Sequence, residues 1–517
     1  MVKRMNKLLK NSIYLSLFTV ISLPASYVIR LILSQHLSLS DFGLLYALIG
    51  FFSMVQSFND LGFSETQAYF IPKYIEQKRE DKIKAVVKTQ LFNQLFTTFL
   101  IGLVLAIFAE WFVTTIFHSP NATNLFRLFI LAFIGKDFLQ NTKMLFFAYQ
   151  EGKFHGSQEP LRIFLTLFLL IIGVALFKVD ILFVVWTWVI VYGVLALLYF
   201  ILFVIRYKKI LQAKHYPMKE IYKEFFPFLV PTLLANNAGV MFSAGTEIFL
   251  AYFKGTADVG LYNIAKPISN LALAITTPIA NLLKPHVSQI DEQKNYESVE
   301  KLISITINAG VFLLLPFSIT LAFYAKESIV FLFGSKYVAA TQALQFISFE
   351  IVLNILSLFI FGIIFGLGLQ KSRAKIIYLS SAISLVFSLI LIPRFASVGV
   401  ALANLGYALT AVIGGLYIIR QKIPFSFPLS NYLKMLILSM ILIFSQVLLK
   451  FISPLELSQQ LLLFILKAAV GLSLYYGIGI FIFKIVDIRF VTKLIFPSIP
   501  ARVQILIAAL KGKQQVF

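Results

Sequence analysis

Two short stretches, Ser40-Asp41-Phe42-Gly43-Leu44 and Ala257-Asp258-Val259-Gly260-Leu261, decide how this chain is read. Each follows an apolar run and opens another, and the two lie 217 residues apart, Asp258 standing on Asp41. An Asp at a helix start accepts free backbone N–H groups and complements the helix dipole, so each stretch predicts a tight corner between two helices, with Asp41 and Asp258 as caps. The register continues inward from both corners. Asn236, Ser243 and Glu247 fall on Thr19, Ser26 and Arg30; Asn263, Lys266, Asn270, Thr277 and Asn281 fall on Tyr46, Ile49, Ser53, Asp60 and Ser64. Steps of four and seven keep such residues within a narrow arc of one helix face. Two polar-striped helices are therefore predicted twice, in one register, and the chain reads as a duplication.

Composition says what is duplicated. Of 517 residues 59% are hydrophobic and 13% charged, and the mean hydropathy is +0.86, values of a polytopic membrane protein. A span needs about 20 apolar residues, and about fourteen such stretches stand out: 12–36, 42–62, 89–109, 125–148, 161–178, 181–205, 225–253, 258–283, 302–324, 340–369, 376–393, 399–419, 433–452 and 461–483. The fold class is all-α: two six-helix lobes forming a parallel pseudo-repeat, plus two appended C-terminal helices. An even number of spans between the copies gives both lobes one orientation. The boundaries are 1–205 for the N-lobe, 206–224 for a basic linker, 225–419 for the C-lobe, and 420–517 for the last two helices and a basic amphipathic tail.

The net charge of +22 would suggest nucleic acid in a soluble protein. Here most of the 45 basic residues fall in one alternating set of loops, among them 63–88 and 206–224. That is the positive-inside pattern; it places both termini in the cytoplasm of a cell-membrane protein and makes anionic lipids, not nucleic acid, the charged partners. There is no Cys, no HExxH pair, no P-loop and no Ser-His-Asp arrangement, and the five His do not cluster. No metal site, organic cofactor or catalytic residue is expected; a transporter is the default reading.

Ionisable groups within apolar spans cost several kcal/mol unless paired or hydrated, so they normally face an interior. Arg30, Lys136, Lys143 and Lys266 are candidate cavity cations, with Gln140, Asn236 and Asn270 as neutral partners; Lys136, Gln140 and Lys143 share one face at i, i+4, i+7. Asp60, Asp137, Glu247 and Glu350 are candidates for gating or for binding a coupling ion, H⁺ or Na⁺. Uncharged stripe residues serve equally well to glue helices together, and Arg30, near a helix end, can snorkel. Because Glu247 repeats Arg30, the two are expected to form, or lie beside, a contact between the lobes just inside the corners.

Four stretches carry a resemblance to a known family: Arg30-Leu-Ile-Leu with Ser40-Asp-Phe-Gly-Leu44; Pro231 to Glu247 leading to Val259-Gly-Leu-Tyr262; Val330-Phe-Leu-Phe-Gly334-Ser-Lys-Tyr337-Val-Ala-Ala340; and Leu391-Ile-Pro393-Arg-Phe-Ala-Ser-Val-Gly399-Val-Ala-Leu-Ala403. In order and spacing they resemble the polysaccharide-transporter (Wzx-type, lipid-linked oligosaccharide flippase) branch of the MOP exporter superfamily. The resemblance implies two lobes around a central cavity that carry a polyprenyl-pyrophosphate-linked glycan between leaflets by alternating access, alongside polysaccharide-assembly proteins. Arg binds phosphate in a fork and Lys as a point charge, which suits such a substrate. The competing reading is a cation-coupled exporter of small amphipathic molecules of the multidrug type; the excess of basic over acidic residues in the spans disfavours it. A non-transporting scaffold for polysaccharide assembly is a third.

Overall fold

The computed structural model describes residues 18, 21–292, 296–423, 425, 429–450, 457–483 and 485. The tail stretches 489–496 and 501–511, read as interfacial helices, lie outside these residues, as do the side chains of Asn236 and Asn270. The described residues form helices without strands. In chain order they are α1 (21–36), α2 (Leu39–Asn59), α3 (Phe63–Glu76), α4 (Glu80–Ile107), α5 (Thr123–Ala148), α6 (Gly152–Leu176), α7 (Ile181–Arg206), α8 (Met218–Lys254), α9 (Thr256–Glu292), α10 (Tyr296–Phe323), α11 (Ala325–Phe333), α12 (Thr341–Gly366), α13 (Gln370–Lys422), α14 (Leu429–Lys450) and α15 (Leu457–Gly477).

Eight helices among the described residues are long and apolar enough to cross a membrane. Of the other expected spans, 12–36 and 461–483 are described only in part, and the rest differ for reasons visible in the sequence. α5 carries Arg127, Lys136, Asp137 and Lys143, and α8 and α9 begin and end in charged segments. α13, at 53 residues, would be about 80 Å long if straight, far more than a bilayer needs; it is two helices joined at Ala396, whose φ of 50° reverses the chain. Gly399 makes that reversal tight, because a Cβ there would sit 2.5 Å from the Leu391 carbonyl oxygen.

The chain gathers into two compact units. The first comprises residues up to Leu271 with Ser328–Leu344 and Ile377–Tyr407; the second comprises Ala272–Glu327, Gln345–Ile376 and the chain from Ala408 onward. The border falls inside α9, not at the 206–224 linker, because α8 packs against α2, α3 and α4. The first unit has an aromatic core in which Phe70, Tyr74, Phe146, Tyr199, Phe203 and Phe225 are all buried. The second has an aliphatic one built on Ile303, Ile351, Ile355, Ile360, Ile363 and Ile364. In it α9 meets α12 through Gly362, whose added Cβ would fall 2.9 Å from the Ala280 carbonyl oxygen.

Both corners form, and in the first unit they pack on each other. Asp is the third residue of α2 and of α9 alike. The cap in the first copy is Ser38, however: its hydroxyl accepts from the Asp41 N–H at 3.0 Å and donates to the Asp41 carboxylate at 2.7 Å. Asp41 supports the cap from the first turn, one half of a capping-box arrangement. The Gly of each copy is the contact. A Cβ on Gly43 would stand 1.7 Å from the Thr256 carbonyl oxygen, and one on Gly260 would stand 2.8 Å from that of Leu39. Thr256 is the repeat of Leu39, so the two contacts are the same contact exchanged, as at a two-fold interface. Ser40 and Thr256 add a hydroxyl pair at 3.0 Å. The 330–340 stretch closes the end of α1: the Tyr337 hydroxyl donates to the Ser34 carbonyl at 2.9 Å, and Lys336 donates to that of Leu37 at 3.1 Å. Carbonyls at a helix C-terminus need such donors.

Candidate functional site

Inside the first unit α1, α2, α5, α6 and α7 enclose a cavity of about 470 Å³. Its apolar wall includes Leu33, Ile49, Phe52, Phe133 and Trp188, and its cations are Arg30, Lys136 and Arg162. A second cavity of about 370 Å³ shares Leu23, Ser26, Glu159, Arg162 and Ile163 with the first and adds Lys143 and His155. The four cations therefore line one connected polar path, in which Glu159 is the one carboxylate among the lining residues.

Each cation has a distinct setting. The Arg30 guanidinium lies 4.5 Å from the centre of the Tyr46 ring and donates to the Asn263 carbonyl. Lys136 reaches Ser53 at 3.4 Å, and among the described residues no carboxylate lies within ion-pair reach of it or of Lys143. Arg162 is held by both carboxylate oxygens of Glu159, at 2.5 and 3.2 Å. Arg162 also bonds Tyr192, so two side chains hold it, whereas Lys136 and Lys143 have no such clamp among the described residues. In a low-dielectric surround such charges attract anions far more strongly than in water.

Glu159 and Arg162 escape the sequence reading, which begins that span at residue 161. Pro160 looks like a helix breaker there, yet α6 starts at Gly152 and runs through it, with Pro160 buried in the helix interior. The recoverable signal is the Glu159–Arg162 spacing of three, a helical ion pair flanking the proline.

The remaining candidates fall in separate places. Glu247 is buried and pairs with Lys266 at 2.5 Å; Asn263 adds a bond to it at 3.4 Å. Of the two arrangements expected, direct pairing does not occur: Glu247 has Lys266 as its cation, and Arg30 lies beside it, on the backbone of the Asn263 whose amide Glu247 accepts from. The reason is local. Positions 247 and 266 lie at similar depth on either side of the Gly255 turn, so the α8–α9 hairpin brings them together before any partner from the other copy can compete. Lys266 stands beside the cavity, whose lining takes Pro267 but not Lys266. Gln140 is exposed between the levels of Lys136 and Lys143. Asp60 ends α2 and accepts from the Ser64 N–H and hydroxyl, a turn-forming role. Glu350, in the second unit, accepts from Asn354 at 2.8 Å. Asp137 is buried against α2 and α4 and faces away from the cavity that Lys136 lines. Asn236 and Asn270 have no described side-chain position.

A family model described as "Polysaccharide biosynthesis protein" matches residues 8–291. The uncharacterized membrane protein MJ1068 of Methanocaldococcus jannaschii is 23% identical over 488 residues, 90% of this chain and 93% of that one. The probable low-salt glycan biosynthesis flippase Agl15 of Haloferax volcanii is 22% identical over 197 residues, 38% of this chain and 42% of that one. Among solved structures, the lipid II flippase MurJ in an inward closed conformation matches with a TM-score of 0.71 at 14% identity, covering 90% of this chain and 99% of that one. At that identity the match speaks to the fold, which is the all-α, multi-pass fold expected.

Proposed function

The chain belongs to the polysaccharide biosynthesis protein family, and on that premise we propose that it is a flippase carrying a polyprenyl-(pyro)phosphate-linked oligosaccharide across the cell membrane. The cargo is a surface-polysaccharide repeat unit or a teichoic-acid-like precursor, moved from the cytoplasmic to the outer leaflet by alternating access. The observation that carries the reading is the cation-lined cavity: Arg30, Lys136 and Arg162 with Lys143 just beyond, against one carboxylate already clamped to Arg162. A (pyro)phosphate would sit between Lys136 and Lys143, while Tyr27, Tyr192 and Trp188 offer faces and hydrogen-bonding edges to sugar rings. The repeat-related contact of Gly43 and Gly260 is the outer gate in this reading, closed while the cavity opens to the cytoplasm.

The exporter reading needs carboxylates ready for a cationic drug. Asp60 holds a turn and Glu247 holds Lys266, which leaves the connected cavities with the opposite polarity. The test is translocation in vesicles that contain the purified protein and a fluorescent polyprenyl-pyrophosphate-linked oligosaccharide, read by a membrane-impermeant quencher. A hydrogen bond to a charged group contributes about 1.5–3 kcal/mol, so Lys136→Ala and Lys143→Ala should each slow transfer roughly ten- to a hundred-fold. Wild-type rates in both variants would remove the cationic site.

A further inference from the structure

Two helices of the connected path carry polar groups at the same spacing and in opposite directions. α5 presents Lys136, Gln140 and Lys143, and α6 presents His155, Glu159 and Arg162, each set at i, i+4 and i+7 and so on one helix face. The chain turns back at residues 149–151, so the two helices run antiparallel and seven residues of one match seven of the other. Lys143 then stands level with His155, and Lys136 with Arg162, beside which it lines the first cavity. A bond fixes the register at the loop end: His155 Nδ1 lies 3.1 Å from the Lys143 carbonyl oxygen. The path therefore has two rungs, about 10 Å apart along the helices at 1.5 Å per residue. The deeper rung, Lys136 with Arg162, carries cations only. The rung at the loop end joins Lys143 to a residue whose charge is not fixed.

The ring of His155 is held in one orientation. A carbonyl can only accept, so Nδ1 carries the hydrogen of that bond. The Phe147 ring packs beside it, with centroids 5.0 Å apart. Nε2 is left without a protein partner among the described residues, on a side chain that lines the second cavity with Lys143 and Arg162. In the neutral ring Nε2 is a bare lone pair; in the protonated ring it is a charged N–H donor. A phosphate oxygen is repelled by the first and bound by the second through a charge-assisted hydrogen bond. The hydroxyls of the same cavity are no substitute. Ser22 and Ser26 donate to the Phe18 and Leu23 carbonyls of their own helix, at 2.5 and 2.8 Å.

We propose that His155 is a proton-dependent ligand for the (pyro)phosphate of the substrate. Protonated, it joins Lys143 in a two-cation rung at the loop end of the path; neutral, it leaves Lys143 alone there and turns a lone pair toward the anion. The inference rests on the flippase reading and adds to it a residue and a sign: binding tightens as pH falls. A pyrophosphate esterified at both ends keeps its charge over the range in which His titrates, so the dependence belongs to the protein. The charged groups around the ring are Lys143 from α5 and Glu159 and Arg162 from its own helix, with Lys136 one rung deeper. α1 contributes only Phe18, Ser22, Leu23 and Ser26 to that cavity, and Tyr192 and Tyr199 of α7 bond Arg162 and Ser157. Glu151, just before α6, pairs with Arg206 at 2.8 Å, and Lys153 is exposed. Of these side-chain types His alone ordinarily changes charge between about pH 5 and 8. A cationic cargo would give the opposite sign, repelled as the ring charges.

Binding is measured on the full chain in nanodiscs with farnesyl methyl pyrophosphate, a sugar-free diester, from about pH 8 down to about pH 5.5. The wild type should bind roughly ten-fold or more tightly at the acid end, the effect of one hydrogen bond to a charged group. His155→Asn keeps an N–H for the Lys143 carbonyl but cannot charge, and its affinity should stay flat at the alkaline wild-type value. His155→Lys carries a fixed charge and should stay flat near the acid wild-type value. Lys143→Ala should weaken binding at every pH and keep the slope. In weak buffer near neutral pH, wild-type binding should also take up protons, and binding by His155→Asn should take up none. A wild-type affinity that does not change with pH, or a slope that survives in His155→Asn, would overturn the proposal and leave the flippase reading standing. A probe bound at no pH would instead remove the phosphate site itself, and the proposal with it.

Discussion

Positions 30 and 247 are the same position of the duplicated unit, and they carry opposite charges in opposite settings. Arg30 faces a cavity, stacks on Tyr46 and donates to a backbone carbonyl. Glu247 is buried, 3.2 Å from where a Cβ on Gly50 would lie, and is neutralised by Lys266. The partners are repeat-equivalent as well, since Asn263 stands on Tyr46 and Lys266 on Ile49. The two copies have thus kept one backbone geometry and diverged in chemistry. One presents a cation to a cavity, and the other closes an ion pair within its own hairpin. At the corners no such divergence occurs: Gly43 and Gly260 do the same thing to each other. Symmetry is retained where backbones touch and lost where side chains face a cavity or each other.

The largest expected effect breaks the symmetric part. Valine at Gly43 would drive its Cβ to 1.7 Å from a backbone oxygen that no side-chain rotation can move, and Gly260→Val meets the reciprocal carbonyl. Both variants should lose translocation at least a hundred-fold, measured by the quencher assay, while still inserting in the membrane. Gly245, whose Cβ would find only the Phe249 ring at 4.0 Å, is the control, and Gly245→Ala should retain activity. If Gly43→Val and Gly260→Val differ by more than about ten-fold, equivalent to 1.4 kcal/mol at this temperature, the corner contact is not the symmetric gate described.

The second test addresses the asymmetric part. Breaking a buried pair by removing one member leaves an uncompensated charge and costs up to about 3–5 kcal/mol; Lys266 is one-third exposed, so the lower end applies. Glu247→Lys and Lys266→Glu should each lower the folded yield and activity about ten-fold or more. The double exchange Glu247→Lys with Lys266→Glu should recover much of that loss. The exchange of Arg30 with Glu247 should recover none, since the two are not partners. Rescue by the latter and not the former would restore the cross-copy pair expected from register alone.

That outcome also locates what a sequence can tell. The duplication, the membrane class, the corners and the cavity cations Arg30, Lys136 and Lys143 follow from periodicity and from the rarity of charge in apolar spans. What register could not supply is rotation about each helix axis. Repeat-equivalence placed Arg30 opposite Glu247, whereas a one-residue turn at Gly255 had already fixed Glu247 to Lys266. Asp41 is the stronger conventional signal for a cap, yet Ser38 takes that place, and a capping box uses both. Arg162 was hidden by Pro160, which a buried helix tolerates when its surroundings hold the backbone in place. Neutral residues were the least legible: Asn59, Gln94 and Thr98 acquire meaning only when the fold delivers them to Asp137.

The smallest effect separates two ways in which Arg30 could serve the cavity. Its guanidinium stacks on Tyr46 while donating to the Asn263 carbonyl, so it joins α1, α2 and α9 as well as presenting charge. Lysine keeps the charge but loses the planar stack and the fork of donors. A cation–π contact contributes about 0.5–2 kcal/mol depending on solvation, so Arg30→Lys should raise the apparent KM for the lipid-linked glycan by roughly two- to thirty-fold with expression unchanged. Tyr46→Leu removes the same stack from the other side and should have an effect of similar size. If Arg30 works through its position on Tyr46, the double variant is no worse than the more severe single one, because the two changes remove one interaction. If the effects multiply instead, the ring and the cation act separately, and Arg30 contributes to the cavity by charge alone, on a par with Lys136.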